Sequence, residues 1–230
     1  MNMFNADNVA KKLGILIHNK DLFQMAVTHR SYLNEHRDHP LNHNERLEFL
    51  GDAVLELIVT EYLYHNYPNP EGELTSWRAA LVNGEMLAVV ARGIGVEEFL
   101  MMSKGEAKDT GRARQYLLAN AMEAIIGAIY LDQGYDAAKD FITKTVLIHL
   151  DEVLKSKSYA DPKSRFQEEA QERMGITPNY HVLREKGPDH DKHFVSGAFL
   201  GEELIAEGEG QSKQEAQRDA AKNALEKKGW

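Results

Sequence analysis

Apolar residues recur at spacings of three and four positions through the first two-thirds of the chain, from Val9 to Val153. That period places them on one face of an α-helix, and short segments rich in Gly, Pro and Asn separate the periodic segments. The pattern therefore predicts that the first part of the chain is all-α. The clearest predicted helices are LFQMAVTHRSYL, RLEFLGDAVLELIVTEYLYHNYP, LTSWRAALVNGEMLAVVARGIG, LLANAMEAIIGAIYLDQGYD and AKDFITKTVLIHLDEVL.

The pattern changes after the polar segment KSKSYADPKS. One helix, SRFQEEAQERM, is followed by three strand-like segments, PNYHVLREKG, HFVSGAFLG and ELIAEGEGQ, and then by a last helix, SKQEAQRDAAKNALEKKG. The order α-β-β-β-α within about seventy residues is typical of a small α+β domain. We therefore expect a multidomain protein, with an all-α domain at residues 1–155, a linker at 156–160 and the α+β domain at 161–230.

Composition narrows the classes of function. Of the 230 residues, 43% are hydrophobic and 27% are charged, as in ordinary globular proteins. No apolar run approaches the roughly 20 residues that span a bilayer, and the first residues lack a secretory pattern, so we expect a cytoplasmic protein with no membrane partner. The absence of cysteine excludes disulfides, catalytic thiolates and cysteine-ligated zinc. The net charge of −9 argues at first sight against a nucleic-acid partner.

The segment NERLEFLGD combines apolar residues, which we expect to face a core, with three acids. Glu45, Glu48 and Asp52 are three and four positions apart, so a helix places all three on one face. Asn42 followed by Glu45 resembles a capping box at the start of this helix. Neighbouring like charges repel, which indicates either a bound cation or a solvated acidic face relieved by Arg46 and counterions. The apolar residues expected in the core are Leu47, Phe49 and Leu50.

A second segment, LLANAMEAIIGAIYLD, places Asn120 and Glu123 three positions apart on an otherwise apolar helix. Gly51 and Gly127 lie inside the two helices, where each glycine costs about 1 kcal/mol relative to alanine, so we expect the helices to cross closely there. That crossing would bring the acids of both helices together. An all-oxygen set selects a hard cation such as Mg²⁺ or Mn²⁺. The alternative is an internal network in which the acids pair with Arg46, Arg78 or Arg112.

The two segments together resemble the signature pair of the ribonuclease III family, the endonucleases that cut double-stranded RNA. The similarity extends to THRSYLNEH and to PEGELTSWRAALVN, and it suggests a bacterial member. The resemblance implies that Glu48, Asp52, Asn120 and Glu123 bind Mg²⁺, with Mn²⁺ as a substitute, and that Glu45, Asp52 and Glu123 are catalytic. It also places Glu71 near the cleavage groove. The family pattern commonly has Asp where this chain has Asn120, which keeps an oxygen ligand but removes a charge.

The α+β segment resembles a double-stranded-RNA-binding domain, a fold that spans about 16 base pairs of A-form duplex. Its marks are SRFQEEAQ, PDHDKHF and GQSKQEAQRDAAK. Gln214 and Gln217 stand where more lysine is expected, and residues 161–230 hold 11 Lys and Arg against 14 Asp and Glu, a net charge of −3. We therefore expect modest, salt-sensitive binding. By resemblance, the residues that contact RNA are Gln167, Glu168, His190, Ser212 and Lys213.

Two groups of histidines have alternative interpretations. The HDKH run at 190–193 could form a metal cluster or the His-Asp pair of a phosphohydrolase, but a Gly/Pro loop without helical spacing argues against both. Four histidines near the signature could suggest zinc, whereas their irregular spacing favours capping or surface roles. They are His29, His36, His39 and His43.

The resemblance implies a symmetric homodimer that cuts both strands of double-stranded RNA and leaves 5′-phosphates and short 3′ overhangs. Such an enzyme would process structured precursors of ribosomal and messenger RNA. The alternative is a catalytically weak relative that binds structured RNA during ribosome assembly. Glu48, Asp52 and Glu123 are all present, and a protein without catalysis has little reason to keep mutually repelling acids, so the enzyme is favoured.

Overall fold

The computed structural model describes residues 4–156, 161–187 and 192–230. The chain divides into two compact units, residues 1–159 and 160–230, and each is described by itself. Apart from Ser156, the predicted linker lies outside the described residues. No helix in the described part of the chain is long and apolar enough to cross a membrane.

The first unit is all-α, as predicted. Short 3-10 helices at Val96–Phe99, Glu106–Lys108 and Leu147–His149 stand between longer elements. The α-helices are α1 (Ala6–Leu13), α2 (Lys20–Ala26), α3 (Arg30–Glu35), α4 (Glu45–Asn66), α5 (Glu71–Val82), α6 (Gly84–Gly93), α7 (Arg112–Gln133), α8 (Tyr135–Thr145) and α9 (Leu150–Ser156).

Helix α7 is the centre of this unit. Between Leu117 and Ile129 every side chain except those of Asn120 and Glu123 is buried, because the segment is apolar around most of its circumference. The neighbouring helices α4, α6, α8 and α2 cover it. The two polar residues therefore interrupt the core at one place, where α7 meets α4.

Helix α4 differs from the prediction at its start and on its outer face. Its N-cap is Asn44, whose side chain makes no capping hydrogen bond, so the capping box predicted at Asn42 and Glu45 is wrong. Instead, the Asn44 backbone N–H donates to the Thr28 carbonyl at 2.9 Å. Phe49 was expected in the core, but it is 82% exposed, whereas Leu47 is buried as expected. The helix ends at Asn66, just before Pro68 stops it.

The second unit has the predicted order α-β-β-β-α. Helix α10 (Pro162–Met174) precedes β1 (Asn179–Lys186), β2 (His193–Leu200) and β3 (Glu203–Gly210), and α11 (Lys213–Lys228) follows. The strands form one antiparallel sheet in the order β1-β2-β3. Both helices pack on one face of it, around a small core that is partly alanine, which allows α11 to lie close to the strands. The core residues are Phe166, Ala170, Ala198, Leu200, Ile205, Ala220, Ala221, Ala224 and Leu225.

Candidate functional site

Helices α4 and α7 touch through their backbones. A Cβ placed on Gly51 would lie 1.7 Å from the Glu123 carbonyl oxygen, and one placed on Gly127 would lie 2.3 Å from the Leu47 carbonyl oxygen. No other residue type fits at either position without moving a helix. The close crossing predicted from the two glycines is therefore confirmed.

The acids of the two helices meet beside this contact. The pKa of Glu123 is raised to about 7, mainly by burial and then by the nearby charges of Asp52 and Glu48. The pKa of Glu48 is also raised, first by burial and next by Glu45, while a hydrogen bond from the Asn120 side chain opposes the shift and Asp52 adds to it. The charge of Asp52 thus contributes to the raised pKa of both Glu48 and Glu123, so the two half-buried carboxyls share one electrostatic environment.

The members of this set differ in exposure. Glu48, Asn120 and Glu123 are half-buried, whereas Asp52 and Glu45 are exposed. The half-buried carboxylates carry the largest cost of ionisation because burial penalises charge.

The edge of the site is basic. The Glu45 carboxylate lies 3.4 Å from Arg30 and 3.8 Å from Nδ1 of His43. Within the described residues, the acids of the set are ion-paired through Glu45 and Arg30, and not through Arg46, Arg78 or Arg112. Arg78 instead donates a hydrogen bond to Thr60 at 3.0 Å. The arginine network considered from sequence is therefore wrong in its partners.

Glu71 lies apart from the acid set, in the first turn of α5. Its carboxylate accepts a hydrogen bond from Thr75 at 2.8 Å. It lines an open cavity of about 720 Å³ together with Tyr64, Tyr67 and Arg78. The cavity extends along the groove between α4 and α5, and it offers both apolar and hydrogen-bonding surface.

In the second unit, four of the five residues predicted to contact RNA lie on α10 or at the start of α11. Gln167 and Glu168 are exposed on α10, and Ser212 caps α11 by accepting a hydrogen bond from the Glu215 N–H at 3.1 Å. Lys213 is exposed in the first turn, 3.6 Å from a Glu185 carboxylate oxygen. The predicted contact at His190 lies outside the described residues.

Two family models match the chain. The Ribonuclease-III-like model covers residues 19–150, and the double-stranded RNA binding motif covers residues 162–228. The chain belongs to the ribonuclease III family. It is an endoribonuclease that acts on double-stranded RNA, which confirms the resemblance seen in the sequence.

Curated relatives match over nearly the whole chain. Ribonuclease 3 of Desulforamulus reducens is 43% identical over 222 residues, which are 96% of this chain and 90% of that protein. Ribonuclease 3 of a Geobacillus species is 48% identical over 219 residues, 94% of this chain and 88% of its own length. The nuclease domain of ribonuclease III from Campylobacter jejuni is similar in structure, with a TM-score of 0.56 and 38% identity over 62% of this chain and 96% of that one.

The site of this ribonuclease III family member suits a hard cation in its donor types. The carboxylates of Glu48, Asp52 and Glu123 and the amide of Asn120 supply oxygen ligands on one side of the α4–α7 contact. Burial and the nearby charges of Asp52 and Glu48 raise the pKa of Glu123, and a cation bound at this contact would oppose that shift. Among the described residues, however, no three His, Asp or Glu side chains already stand close enough to hold an ion. Binding would therefore require side chains of this set to move closer together.

Sequence reasoning did not foresee that residues 28–31 contact residues 101–103, which together support the site edge. The His29 N–H donates to the Met101 carbonyl at 2.8 Å, and the Ser103 N–H donates to Ser31 Oγ at 3.0 Å. His29 caps α3 because its Nδ1 accepts from the Ser31 N–H, and the same nitrogen lies 2.8 Å from Ser31 Oγ. The segment THRSY could have indicated the capping at the start of α3, because its polar residues stand where a helix begins.

The capping role expected for the histidines near the signature is confirmed at His29. His36 lies against Tyr32, with its ring stacked at a centroid distance of 3.9 Å and its Nδ1 2.9 Å from the Tyr32 carbonyl oxygen. Burial lowers the pKa of His29, against the opposing effect of Glu106. A neutral imidazole is the form that can accept the hydrogen bond from the Ser31 N–H.

Proposed function

We propose that this endoribonuclease depends on a divalent cation, Mg²⁺ or in its place Mn²⁺, held by Glu48, Asp52, Asn120 and Glu123. The observation that carries the proposal is the half-buried Glu123 carboxyl at the α4–α7 contact, whose pKa is raised to about 7 by burial and by the charges of Asp52 and Glu48. When bound, the ion supplies a water of lowered pKa and neutralises charge on the scissile phosphate. Asp52, Glu123 and Glu45 act as the catalytic acids.

The family resemblance supports the finer features. The products carry 5′-phosphates and short 3′ overhangs, and the substrates are structured precursors of ribosomal and messenger RNA in the cytoplasm. Residues 1–155 form the nuclease domain, residues 156–160 the linker and residues 161–230 the RNA-binding domain.

The metal proposal is tested with a perfect RNA duplex in the presence of Mg²⁺ or excess EDTA. Chelation and Glu123→Gln should each abolish cleavage and leave duplex binding intact, because the glutamine keeps the size of the side chain and removes its charge. Glu85→Gln, at an exposed acid on α6, is the matched control. Cleavage that persists in EDTA would contradict the metal role, and binding without cleavage under every condition would indicate the RNA-binding alternative.

A second measurement does not depend on activity. Mg²⁺ should raise the melting temperature of the wild-type protein because it offsets the repulsion around Glu123. The increase should be much smaller in Glu123→Gln and unchanged in Glu85→Gln. Equal increases in all three proteins would place the bound ion elsewhere.

We also propose that the protein is a homodimer that associates through the outer face of α4. Phe49, Leu57 and Tyr64 are 82%, 58% and 74% exposed. Spacings of eight and seven residues place them along one stripe of the helix. An apolar stripe of this length is more typical of an interface than of a solvent-facing surface. The nuclease domain of ribonuclease III from C. jejuni has a flexible region that is involved in dimer formation.

Sedimentation equilibrium tests the dimer. Phe49→Asp should shift the protein toward the monomer, because dimerisation would bury the new charge. Leu131→Asp, at another exposed apolar residue, should leave the mass unchanged. A dimer of undiminished stability in Phe49→Asp would exclude this face.

For the RNA-binding domain, we propose that Lys213 and Ser212 meet phosphates and that Gln167, Glu168 and His190 reach the minor groove. Exposed positions on α10 and on the first turn of α11 support this assignment. Replacing Lys213 by Gln should weaken duplex binding and lower its salt dependence. Lys222, about half a turn from Lys213 around α11, provides the matched Lys→Gln control. Equal binding by the two variants would reject the role of Lys213.

A further inference from the structure

Lys163, in the first turn of α10, extends across to α11. Its Nζ donates a hydrogen bond to Oε1 of Gln217 at 2.9 Å and lies 4.8 Å from the centre of the Tyr180 ring. Gln217 is four residues after Lys213, so the two share one face of α11. A cation that belongs to α10 thus stands one helical turn beyond Lys213, at a position where α11 itself has an uncharged side chain.

The hydrogen bond and the ring contact of Lys163 do not neutralise its positive charge. Lys213 faces the carboxylate of Glu185 at 3.6 Å, and Arg218 faces that of Asp161 at 3.5 Å. Both contacts of Lys163 described above are instead with neutral groups, an amide oxygen and an aromatic ring. An ammonium group has three N–H donors, and the bond to Gln217 uses one of them. The remaining donors can bind an anion without first breaking an ion pair.

Space for such an anion lies beside the ammonium group. An open cavity of about 440 Å³ is lined by residues of both helices, including Lys163 and Ser212. Its two carboxylates are held by local hydrogen bonds, since Asp161 accepts from the Ser164 N–H at 3.2 Å and Glu215 accepts from the Gln211 N–H at 2.9 Å. The acids therefore serve the starts of the helices, and Lys163 stays available to a ligand.

We propose that Lys163 is a phosphate-binding residue of the double-stranded-RNA-binding surface and that Gln217 positions it. Lys163 would be the second cation, after Lys213, on this face of α11. It would take the place of a lysine at position 217, where α11 has Gln217. This inference rests on the proposed role of Lys213 in binding the RNA backbone. It assigns a residue of α10 to a contact that the sequence places on α11.

The test is the affinity of the full chain for a perfect RNA duplex as a function of monovalent salt, in EDTA so that the proposed metal-dependent cleavage is prevented. Loss of one phosphate contact should reduce the slope of log K against log salt by about 0.9 and weaken binding about eightfold at 0.1 M salt. Lys163→Gln should show both changes. Lys163→Arg keeps the charge and should bind much as the wild type, and Lys222→Gln is the control for loss of a distant lysine.

A transposition distinguishes a binding role from a structural one. The double variant Lys163→Gln with Gln217→Lys moves the cation from α10 to α11 and should recover the wild-type salt slope. If the role of Lys163 is only structural, the double variant should not recover the wild-type salt slope, and Lys163→Gln should have a lowered melting temperature.

Lys213→Gln separates the two proposals. If it weakens binding while Lys163→Gln behaves like Lys222→Gln, the inference about Lys163 is wrong and the proposed RNA surface stands. If neither Lys213→Gln nor Lys163→Gln differs from Lys222→Gln, the proposed surface itself is wrong.

Discussion

Gly51→Ala is the substitution with the clearest expected effect. The added Cβ would lie 1.7 Å from the Glu123 carbonyl oxygen, 2.6 Å from the carbonyl carbon and 2.9 Å from the Gly127 nitrogen. All three atoms belong to the α7 backbone, so no side chain can rotate away. Ordinary contact begins near 3.4 Å. The two helices must therefore separate by about 1.5 Å or more, which is severe overpacking.

The magnitude follows from two opposing effects. Overpacking costs about 1–3 kcal/mol, and a clash with backbone belongs at the upper end or beyond. Replacing a glycine inside a helix by alanine raises the free energy of unfolding by up to about 1 kcal/mol. We expect a net loss of about 2 kcal/mol in the free energy of unfolding. Cleavage should fall as well, because Glu48 and Asp52 move away from Glu123.

Gly72→Ala is the matched control. Gly72 also lies in a helix, α5, but a Cβ there meets nothing within 4 Å, so this variant should gain up to about 1 kcal/mol. Urea unfolding of both full-length variants, followed by far-UV circular dichroism, measures the difference. Equal stability of the two variants, with cleavage at the wild-type level in Gly51→Ala, would refute the close backbone contact.

Three further predictions address other parts of the nuclease unit. Asp132, 2% exposed, accepts two backbone N–H groups at the start of α2, so Asp132→Asn should cost about 1.5–3 kcal/mol in urea unfolding; the exposed Asp140→Asn, which loses only an ion pair within α8, should cost less than about 1 kcal/mol. The pKa of His29 is below its ordinary value of 6.5, so the unfolded chain binds more protons and stability should fall as the pH drops below 6.5. His29→Asn keeps a hydrogen-bond acceptor at this N-cap, so its melting temperature should not show this fall below pH 6.5. If the melting temperatures of the wild type and the variant change in parallel with pH, the prediction is wrong. Asn120→Asp should lower the Mg²⁺ concentration for half-maximal cleavage and, without metal, lower the melting temperature; an unchanged or raised requirement would reject a ligand role for residue 120.

Sequence patterns predicted the helices and strands well because the apolar periods of the two units are distinct. The α4–α7 crossing was also predictable, since glycine inside an apolar helix is costly unless another backbone needs its place. Phe49 was placed wrongly because an apolar side chain in a periodic segment can face a partner as well as a core. Periodicity alone does not distinguish these environments.

Contacts between distant segments could not be predicted in the same way. Asn42 and Glu45 matched a capping box, yet the Asn44 N–H donates to Thr28, a residue from another part of the chain. The position of Arg30 beside Glu45 likewise depends on how α3 approaches α4. The role of Lys163 could not be predicted from the sequence, because it depends on the contact with the neutral Gln217 side chain on α11.

The hydrogen bonds of the Thr28–Ser31 segment have a consequence for the order of folding. The start of α4 is held by Thr28, and Ser31 in turn holds Ser103, a pair 72 residues apart in the chain. Contacts of this separation form late, because the entropy of closing a long loop is lost before the contact stabilises the structure. The edge of the site at Glu45 should thus become ordered only after residues 101–103 have docked. During synthesis, this part of the nuclease would remain unformed until well over a hundred residues had left the ribosome.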